Sequence, residues 1–178
     1  LVASRPPLGE TAHQGDSRAY LVVTMDGLGE PLPIVTLDVT FHEAGVFGLC
    51  FAGIEPVRDT SKLSVAGWPD EESRAFEGVM RAAKADEPFV LVERAGATHG
   101  IVALDADRTV ADRDDAGWGL GALREGDEIR PILLAPVPGS SASEFEAGQR
   151  VVVRFGLVAR DEPMQATREW LRGLFGIE

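Results

Sequence analysis

The sequence predicts a mostly β protein of the α+β kind, in which an antiparallel sheet forms a barrel or a sandwich. Three observations predict this fold. Short apolar segments alternate with polar residues, clusters of glycine, proline and aspartate separate them, and the connections are far too short for parallel crossovers. Two segments with helical spacing add an inserted helix at about 71–85 and a C-terminal helix at about 163–175. A two-layer α+β sheet, with both helices on one face, is the alternative.

The composition is that of one globular domain. The chain has 178 residues, of which 44% are hydrophobic and 26% are charged, so it holds enough apolar material for a core. Residues 1–16 include Pro6, Pro7 and several polar residues, and we expect them to form a flexible N-terminal arm. A single β-rich domain is then expected over residues 17–178.

The first strands are predicted by period-two patterns. Residues 19–25 form an apolar segment that ends at a turn signal, Asp26-Gly27. Residues 35–41 alternate strictly, which places four apolar side chains on one face: Val35, Leu37, Val39 and Phe41. A turn at 42–45 then leads into 46–54, which reads as a strand buried on both faces. Because the connections are short, we expect these three strands to form an antiparallel meander.

The inserted helix and a second hairpin come next. Asp70 caps a segment in which four apolar residues recur at helical spacing, namely Phe76, Val79, Met80 and Ala83. Residues 89–93 and 98–104 flank a short glycine-containing turn and predict a hairpin. Strands over 129–137 and 150–159 follow, separated by a loop at 138–143.

The C-terminal helix begins after Pro163, a residue favoured at a first helical position. One face of this helix is apolar, with Met164, Trp170, Leu171, Leu174 and Phe175, while the other leaves three charged residues for solvent, Arg168, Glu169 and Arg172. We expect the apolar face to dock on the protein's own sheet. A partner protein, or a lid over a cavity, is the alternative use of such a face.

The charge and the absence of long apolar segments restrict the partners. With 17 basic and 29 acidic residues, the net charge of −12 repels nucleic acid and anionic lipid, and no basic patch offsets it. We expect a small molecule or a protein as partner, with a homo-oligomer left open. No segment approaches the ~18 apolar residues of a membrane span. The expected location is the cytoplasm, with secretion as the alternative.

A single cysteine, Cys50, excludes an intramolecular disulfide and a cysteine-based metal cluster. It lies in an apolar segment, so we expect it to pack as a small hydrophobic residue.

Three groups of residues are candidate sites. His42, Glu43 and His99 combine groups that titrate near neutrality with a carboxylate, as acid–base catalysis requires. Trp68 and Trp118 are candidate platforms for a flat ligand. The glycine-rich stretch 117–121 around Trp118 matches no nucleotide-binding loop and predicts a tight turn. An acidic loop offers oxygen ligands for a metal such as calcium, from Asp105, Asp107, Asp112 and Asp114. The spacing of these residues matches no EF-hand, so a solvated acidic loop is the favoured interpretation.

Two functions from different classes fit these observations. We favour a non-catalytic module or accessory subunit that binds a ligand or a protein, because few residues in the chain suit catalysis. Its binding rim would include Trp68, Trp118 and the acidic loops. The alternative is a small-molecule isomerase, lyase or hydrolase that uses His42, Glu43 and His99 in a barrel mouth. No motif identifies a cofactor, whose identity the sequence leaves unknown.

Overall fold

The strands dominate the part of the chain that the computed structural model describes, which is residues 18–46, 49–51, 57–58, 62–65, 77–81, 87–104, 119–135 and 144–177. Along those ranges the elements are β1 (Ala19–Asp26), β2 (Ile34–Phe41), β3 (Gly45–Val46), β4 (Leu49–Phe51), β5 (Val57–Arg58), β6 (Lys62–Val65), β7 (Gly78–Arg81), β8 (Phe89–Arg94), β9 (Ala97–Leu104), β10 (Gly119–Glu125), β11 (Glu128–Ala135), β12 (Glu144–Phe145), β13 (Arg150–Arg160) and the helix α1 (Met164–Phe175). The prediction of a mostly β protein is confirmed.

The strands form two larger sheets and a two-stranded ribbon. The six-stranded sheet has the order β1-β2-β13-β9-β8-β6, and the second sheet has the order β4-β11-β10-β7, with β5 also paired to β11. Strands β3 and β12 form the ribbon. Every one of these pairings is antiparallel, and short connections predict this for the pairs β1–β2, β8–β9 and β10–β11. No closed barrel forms among the described residues.

The two larger sheets bury their apolar side chains in one cluster. The six-stranded sheet contributes residues of β2, β8, β9 and β13, and the second sheet contributes residues of β10 and β11. The cluster includes Val35, Leu37, Val90, Ile101, Val153, Phe155, Leu120, Ala122, Ile129 and Leu133. Strands β1 and β9 add half-buried residues to it, among them Leu21, Val23 and Ala103. Both sheets therefore contribute to one hydrophobic core.

Strand β2 shows how closely the sequence pattern matches the structure. Its even-numbered residues are half-buried and its odd-numbered residues are buried, in the alternation that period two predicts. The hairpin of β8 and β9 is confirmed as well. Its two-residue turn, Ala95-Gly96, has φ of 53° and 83°, as a type I′ turn requires.

Helix α1 is confirmed, and it docks on the six-stranded sheet as predicted. Its Leu171 is buried in a cluster with residues of β8, β9 and β13, namely Phe89, Leu91, Val102 and Val158. The backbone N–H of Met164 donates to the Glu93 carboxylate at 2.6 Å, which satisfies a donor at the helix start. The helix stops before Gly176, whose φ of 65° is left-handed.

Two details of the predicted helix surface are wrong. Arg168 is not simply a solvent-facing residue, because its Nε and Nη2 donate to Glu87 Oε1 at 2.9 and 2.7 Å. Leu174, predicted on the docking face, is 54% exposed. Leu171 and Thr167, one helical turn apart, are the residues that α1 buries most deeply.

The inserted helix over 71–85 is wrong at 78–81, which form strand β7 and pair with β10. Gly78 has a φ of 80°, which an α-helix cannot accommodate, and Val79 is β-branched. Four apolar residues are too few to separate a period of 3.6 from a period of two. Residues 71–76 and 82–85 of the predicted helix lie outside the described residues.

The predicted meander and the predicted glycine turn are also wrong. Strand β2 pairs with β13 on its second side, while β4, within the predicted third strand, pairs with β11 of the other sheet. Residues 119–121 are not a tight turn, because they begin β10 and pair with β11. A pairing between strands far apart in the chain leaves no local signal, and glycines hide a strand's alternation because they lack side chains.

Other predictions lie beyond the described ranges. The predicted arm, residues 1–16, falls there, and one domain over 17–178 stays a prediction. Cys50 has its backbone in β4, opposite Leu134, and the packing of its thiol stays a prediction. Within the described residues, no helix has both the length and the apolar character needed to cross a bilayer.

Candidate functional site

His42 and Glu43 form a corner directly after β2, and both side chains are exposed. Their backbone N–H groups donate to the Arg18 carbonyl at 2.7 and 3.3 Å, and the Arg18 guanidinium pairs with the Glu43 carboxylate at 3.2 Å. The His42 ring stacks on Tyr20, with ring centroids 6.5 Å apart. The corner is therefore fastened to the start of β1.

His99 lies at the opposite end of the six-stranded sheet. His99 is half-buried on β9, where it pairs with Ala159 near the end of β13. Phe41, the residue before His42, is hydrogen-bonded to Gln149, just before the start of β13. The extended chain from Gln149 to Ala159 spans roughly 30 Å. The structure does not bring His42 and Glu43 together with His99.

The other predicted site residues lie outside the described residues. These are the platform residues Trp68 and Trp118 and the four carboxylates of the acidic loop, Asp105, Asp107, Asp112 and Asp114. Their roles stay predictions. Across the ranges that the structure does describe, no group of three or more histidine, cysteine, aspartate or glutamate residues could hold a metal ion.

The outer side of the six-stranded sheet offers a different candidate. Because the odd-numbered residues of β2 face the core, its even-numbered residues face outward, and the register aligns them with neighbours on β1 and β13. Three rows of three residues result. We call this surface the open face: Tyr20, Thr40 and Arg150; Val22, Asp38 and Val152; Thr24, Thr36 and Arg154.

The open face is small and mixed in character. Its width across the three strands is about 10 Å, and its length over five residues of each strand is about 14 Å. It carries three hydroxyl groups from threonine, one aromatic ring and two valines, of which Val152 is 42% exposed. Hydrogen-bonding groups therefore lie beside apolar side chains on three paired strands.

The centre of the open face is an ion pair between Asp38 and Arg150. The guanidinium donates from Nε to Asp38 Oδ1 at 2.8 Å and from Nη2 to Oδ2 at 2.5 Å, so the contact is bidentate. The Asp38 side chain is 26% exposed and the Arg150 side chain 64%. Hydrogen bonding and charge from Arg150 lower the pKa of Asp38, although partial burial opposes the shift.

Helix α1 covers the remaining part of the same outer side. Its cluster with Phe89, Leu91, Val102 and Val158 lies over β8, β9 and the second half of β13. Leu32 marks the boundary, because it packs over Gly156. A Cβ at Gly156 would lie 2.8 Å from the Leu32 side chain, so only glycine leaves room for it. The open face thus ends where the helix and the Leu32 loop begin.

The arrangement suits binding better than proton transfer. Asp38 is held ionised by its partner, and the pKa of Arg150 is raised by the hydrogen bond and charge of Asp38, so neither group exchanges a proton near neutral pH. What the open face offers instead is fixed charge, hydroxyl groups and apolar contact. Those are the groups with which proteins orient a ligand.

Sequence reasoning missed this surface for an identifiable reason. The alternation in β2 does place Thr36, Asp38 and Thr40 on the face opposite the apolar residues. However, Arg150 lies 112 residues further along the chain, and no local pattern indicates that it pairs with Asp38.

No known protein-family model matches the sequence, and comparison with curated proteins finds no relative. The function is therefore inferred from the geometry of the described residues.

Proposed function

We propose that the protein is a non-catalytic binding module or accessory subunit, with the open face as its binding surface. One observation carries the proposal: α1 covers only half of the outer side of the large sheet. Within the described ranges, the half that α1 does not cover presents Tyr20, Val22 and Val152 beside hydroxyl groups and a bidentate ion pair. The open face mixes apolar contact with directional hydrogen bonding, the combination with which binding sites orient a ligand.

The catalytic alternative has no comparable support. An isomerase, lyase or hydrolase using His42, Glu43 and His99 needs these groups within hydrogen-bonding reach of one substrate. The register separates His42 from His99 by roughly 30 Å. We therefore do not extend the proposal to catalysis.

Two further statements belong to the same proposal. The two larger sheets pack as a sandwich, because their buried residues belong to a single cluster. The partner is a small molecule or a protein. A cytoplasmic location, with secretion as the alternative, stays a prediction.

The chain's aromatic composition allows a direct test. Tyr20 is the only tyrosine, so protein labelled with 3-fluorotyrosine gives one ¹⁹F signal, and that signal reports on the open face. Protein labelled with 5-fluorotryptophan reports on Trp68, Trp118 and Trp170. We would titrate both with a fragment library of neutral, anionic and cationic compounds, and we expect binders to shift the Tyr20 signal.

A pair of variants serves as the control. Asp38→Asn removes a charge from the centre of the open face, and Glu144→Gln makes the same chemical change at an exposed site on β12. Binders should weaken with the first variant and not with the second. Compounds that shift only the Trp68 and Trp118 signals would support the rim of these two residues instead. A Tyr20 signal that no compound moves would refute small-molecule binding at the open face.

A further inference from the structure

The centre of the open face presents hydrogen-bond acceptors and hydrogen-bond donors side by side. Asp38 is the middle residue of the middle row, and Arg150 lies one row away on the neighbouring strand β13. Within the described part of the chain, their contact uses two N–H groups of the guanidinium and one lone pair on each carboxylate oxygen. The other N–H groups of Arg150, whose side chain is 64% exposed, and the other lone pairs of Asp38 therefore remain for a ligand.

This ion pair suits a ligand that is neutral and that both donates and accepts hydrogen bonds. An anion only accepts hydrogen bonds, and Asp38 would repel it from Arg150. An ammonium group only donates hydrogen bonds, and Arg150 would repel it from Asp38. A hydroxyl group has one donor and two lone pairs, so it can donate to Asp38 and accept from Arg150 at the same time. Two adjacent hydroxyl groups can thus bind both side chains without disturbing the balance of charge.

Apolar side chains flank the charged centre. Val22 and Val152 lie on either side of Asp38 in the middle row, and Val152 is 42% exposed. Thr36 and Thr40 precede and follow Asp38 on the same face of β2. A sugar ring carries hydroxyl groups at its rim and C–H groups on its faces, so it matches this mixture of side chains. A wholly apolar ligand would cover the ion pair without forming hydrogen bonds to it, which is costly.

The size of the open face also restricts the ligand. The face covers roughly 140 Å², whereas each side of a standard protein–protein interface buries about 800 Å². The adjacent part of the same side is occupied by helix α1 and by Leu32, which packs over Gly156. The open face is therefore too small to hold a protein partner stably by itself, but it accommodates one or two sugar rings.

We propose that the open face binds a neutral mono- or disaccharide, with Asp38 and Arg150 holding two adjacent hydroxyl groups of one sugar ring. Val22 and Val152 contact the C–H groups of the ligand. The inference rests on the proposed function, because it names the ligand class of that same surface. Few contacts are available on so small and exposed a surface, so we expect a dissociation constant in the millimolar range.

Titration of the full chain labelled with 3-fluorotyrosine tests the proposal. The probes are glucose, galactose, mannose, N-acetylglucosamine, maltose and lactose, each up to about 100 mM, which covers a millimolar dissociation constant. We expect at least one of them to shift the Tyr20 signal in a saturable manner. Deoxy derivatives of that sugar, each lacking one hydroxyl group, identify the two hydroxyl groups that are held. Loss of either should weaken binding by about fivefold or more.

Two variants distinguish a neutral ligand from a charged one. A sugar that uses both groups should bind about fivefold or more weakly to Asp38→Asn and to Arg150→Gln. An anion held by Arg150 would instead bind more tightly to the first variant, and a cation held by Asp38 more tightly to the second. Glu144→Gln on β12 and Arg94→Gln beside the β8–β9 turn make the same changes at exposed sites elsewhere and should leave the affinity unchanged. Unchanged tryptophan signals confirm that each variant keeps the fold.

The outcomes separate this inference from the proposed function. If no sugar shifts the Tyr20 signal but a compound of the fragment library does, the saccharide assignment is overturned and the binding function stands. If no compound of either kind shifts it, small-molecule binding at the open face is refuted as well. A sugar that shifts only the signals of Trp68 and Trp118 overturns the assignment to the open face. So does a bound sugar that Asp38→Asn and Arg150→Gln, or the loss of every single hydroxyl group, fail to weaken.

Discussion

Two threonines at the interface between α1 and the sheet predict opposite effects for the same substitution. Thr98 on β9 and Thr167 on α1 are both fully buried. The Thr98 hydroxyl donates to the Glu162 carbonyl at 2.7 Å, whereas the Thr167 hydroxyl has no hydrogen-bond partner within the described part of the chain. Valine preserves the shape of threonine and removes only the hydroxyl, so the pair isolates the hydrogen bond.

The expected magnitudes follow from the cost of burying a hydroxyl. An unsatisfied buried group costs about 1–3 kcal/mol, and helix propensity scarcely differs between threonine and valine. Thr167→Val should therefore stabilise the fold by about 1 kcal/mol, which raises the melting temperature by about 2–4 °C at this chain length. Thr98→Val loses a hydrogen bond and leaves the Glu162 carbonyl without that donor, so it should destabilise by about 1 kcal/mol.

Urea denaturation and thermal melting of both variants beside the wild type measure these differences. The sign of each change in unfolding free energy is a stronger test than its size, because both threonines are fully buried and both are replaced by valine. If Thr167→Val lowers the free energy of unfolding, the hydroxyl has a stabilising partner and the reasoning is refuted. If Thr98→Val raises it, the hydrogen bond to Glu162 does not stabilise the helix entry.

The remaining predictions concern packing, pH and the start of the helix. Gly100→Ala should destabilise the fold by about 1–3 kcal/mol in urea denaturation, because the new Cβ would lie 2.5 Å from the Val90 carbonyl oxygen. Gly173→Ala is the matched control on helix α1. No atom lies within 4 Å of its new Cβ, so this variant should stabilise the fold by about 0.5–1 kcal/mol. The lowered pKa of Asp38 stabilises the fold above the ordinary aspartate pKa, and this contribution disappears as pH falls through the lowered value. Asp38→Asn should thus lose less stability than the wild type below about pH 4, in melts followed by circular dichroism. Glu93→Gln, which removes the charge that accepts the Met164 N–H, should increase amide exchange in the first turn of α1 and not in β2.

Period-two alternation was the most dependable sequence signal for the fold. It located β2 because one face of that strand is buried and the other is not, and the Ala95-Gly96 turn located the hairpin of β8 and β9. It failed for β10, where Gly119 and Gly121 leave no alternation to read. Helical spacing failed at β7, because a strand with few apolar residues can match either period over so short a stretch.

The candidate site was harder to predict than the fold, because its residues meet only through strand pairing. Tyr20, Asp38 and Arg150 come from three strands, and the pairing of β2 with β13 joins residues 112 positions apart. Single histidines, such as His42 and His99, stand out in a sequence. Their separation of roughly 30 Å becomes apparent only when the register is known.

Strand β13 does, however, encode the boundary between the covered and the open parts of the sheet. In its first half, Arg150, Val152 and Arg154 are exposed and alternate with buried or half-buried valines, as in a strand with one solvated face. From Phe155 to Val158 the residues are buried or half-buried on both sides, as in a strand covered on both faces. A change from alternating to continuous apolar residues within one strand therefore marks where a helix docks. The alternating half before that change contributes Arg150, Val152 and Arg154 to the open face.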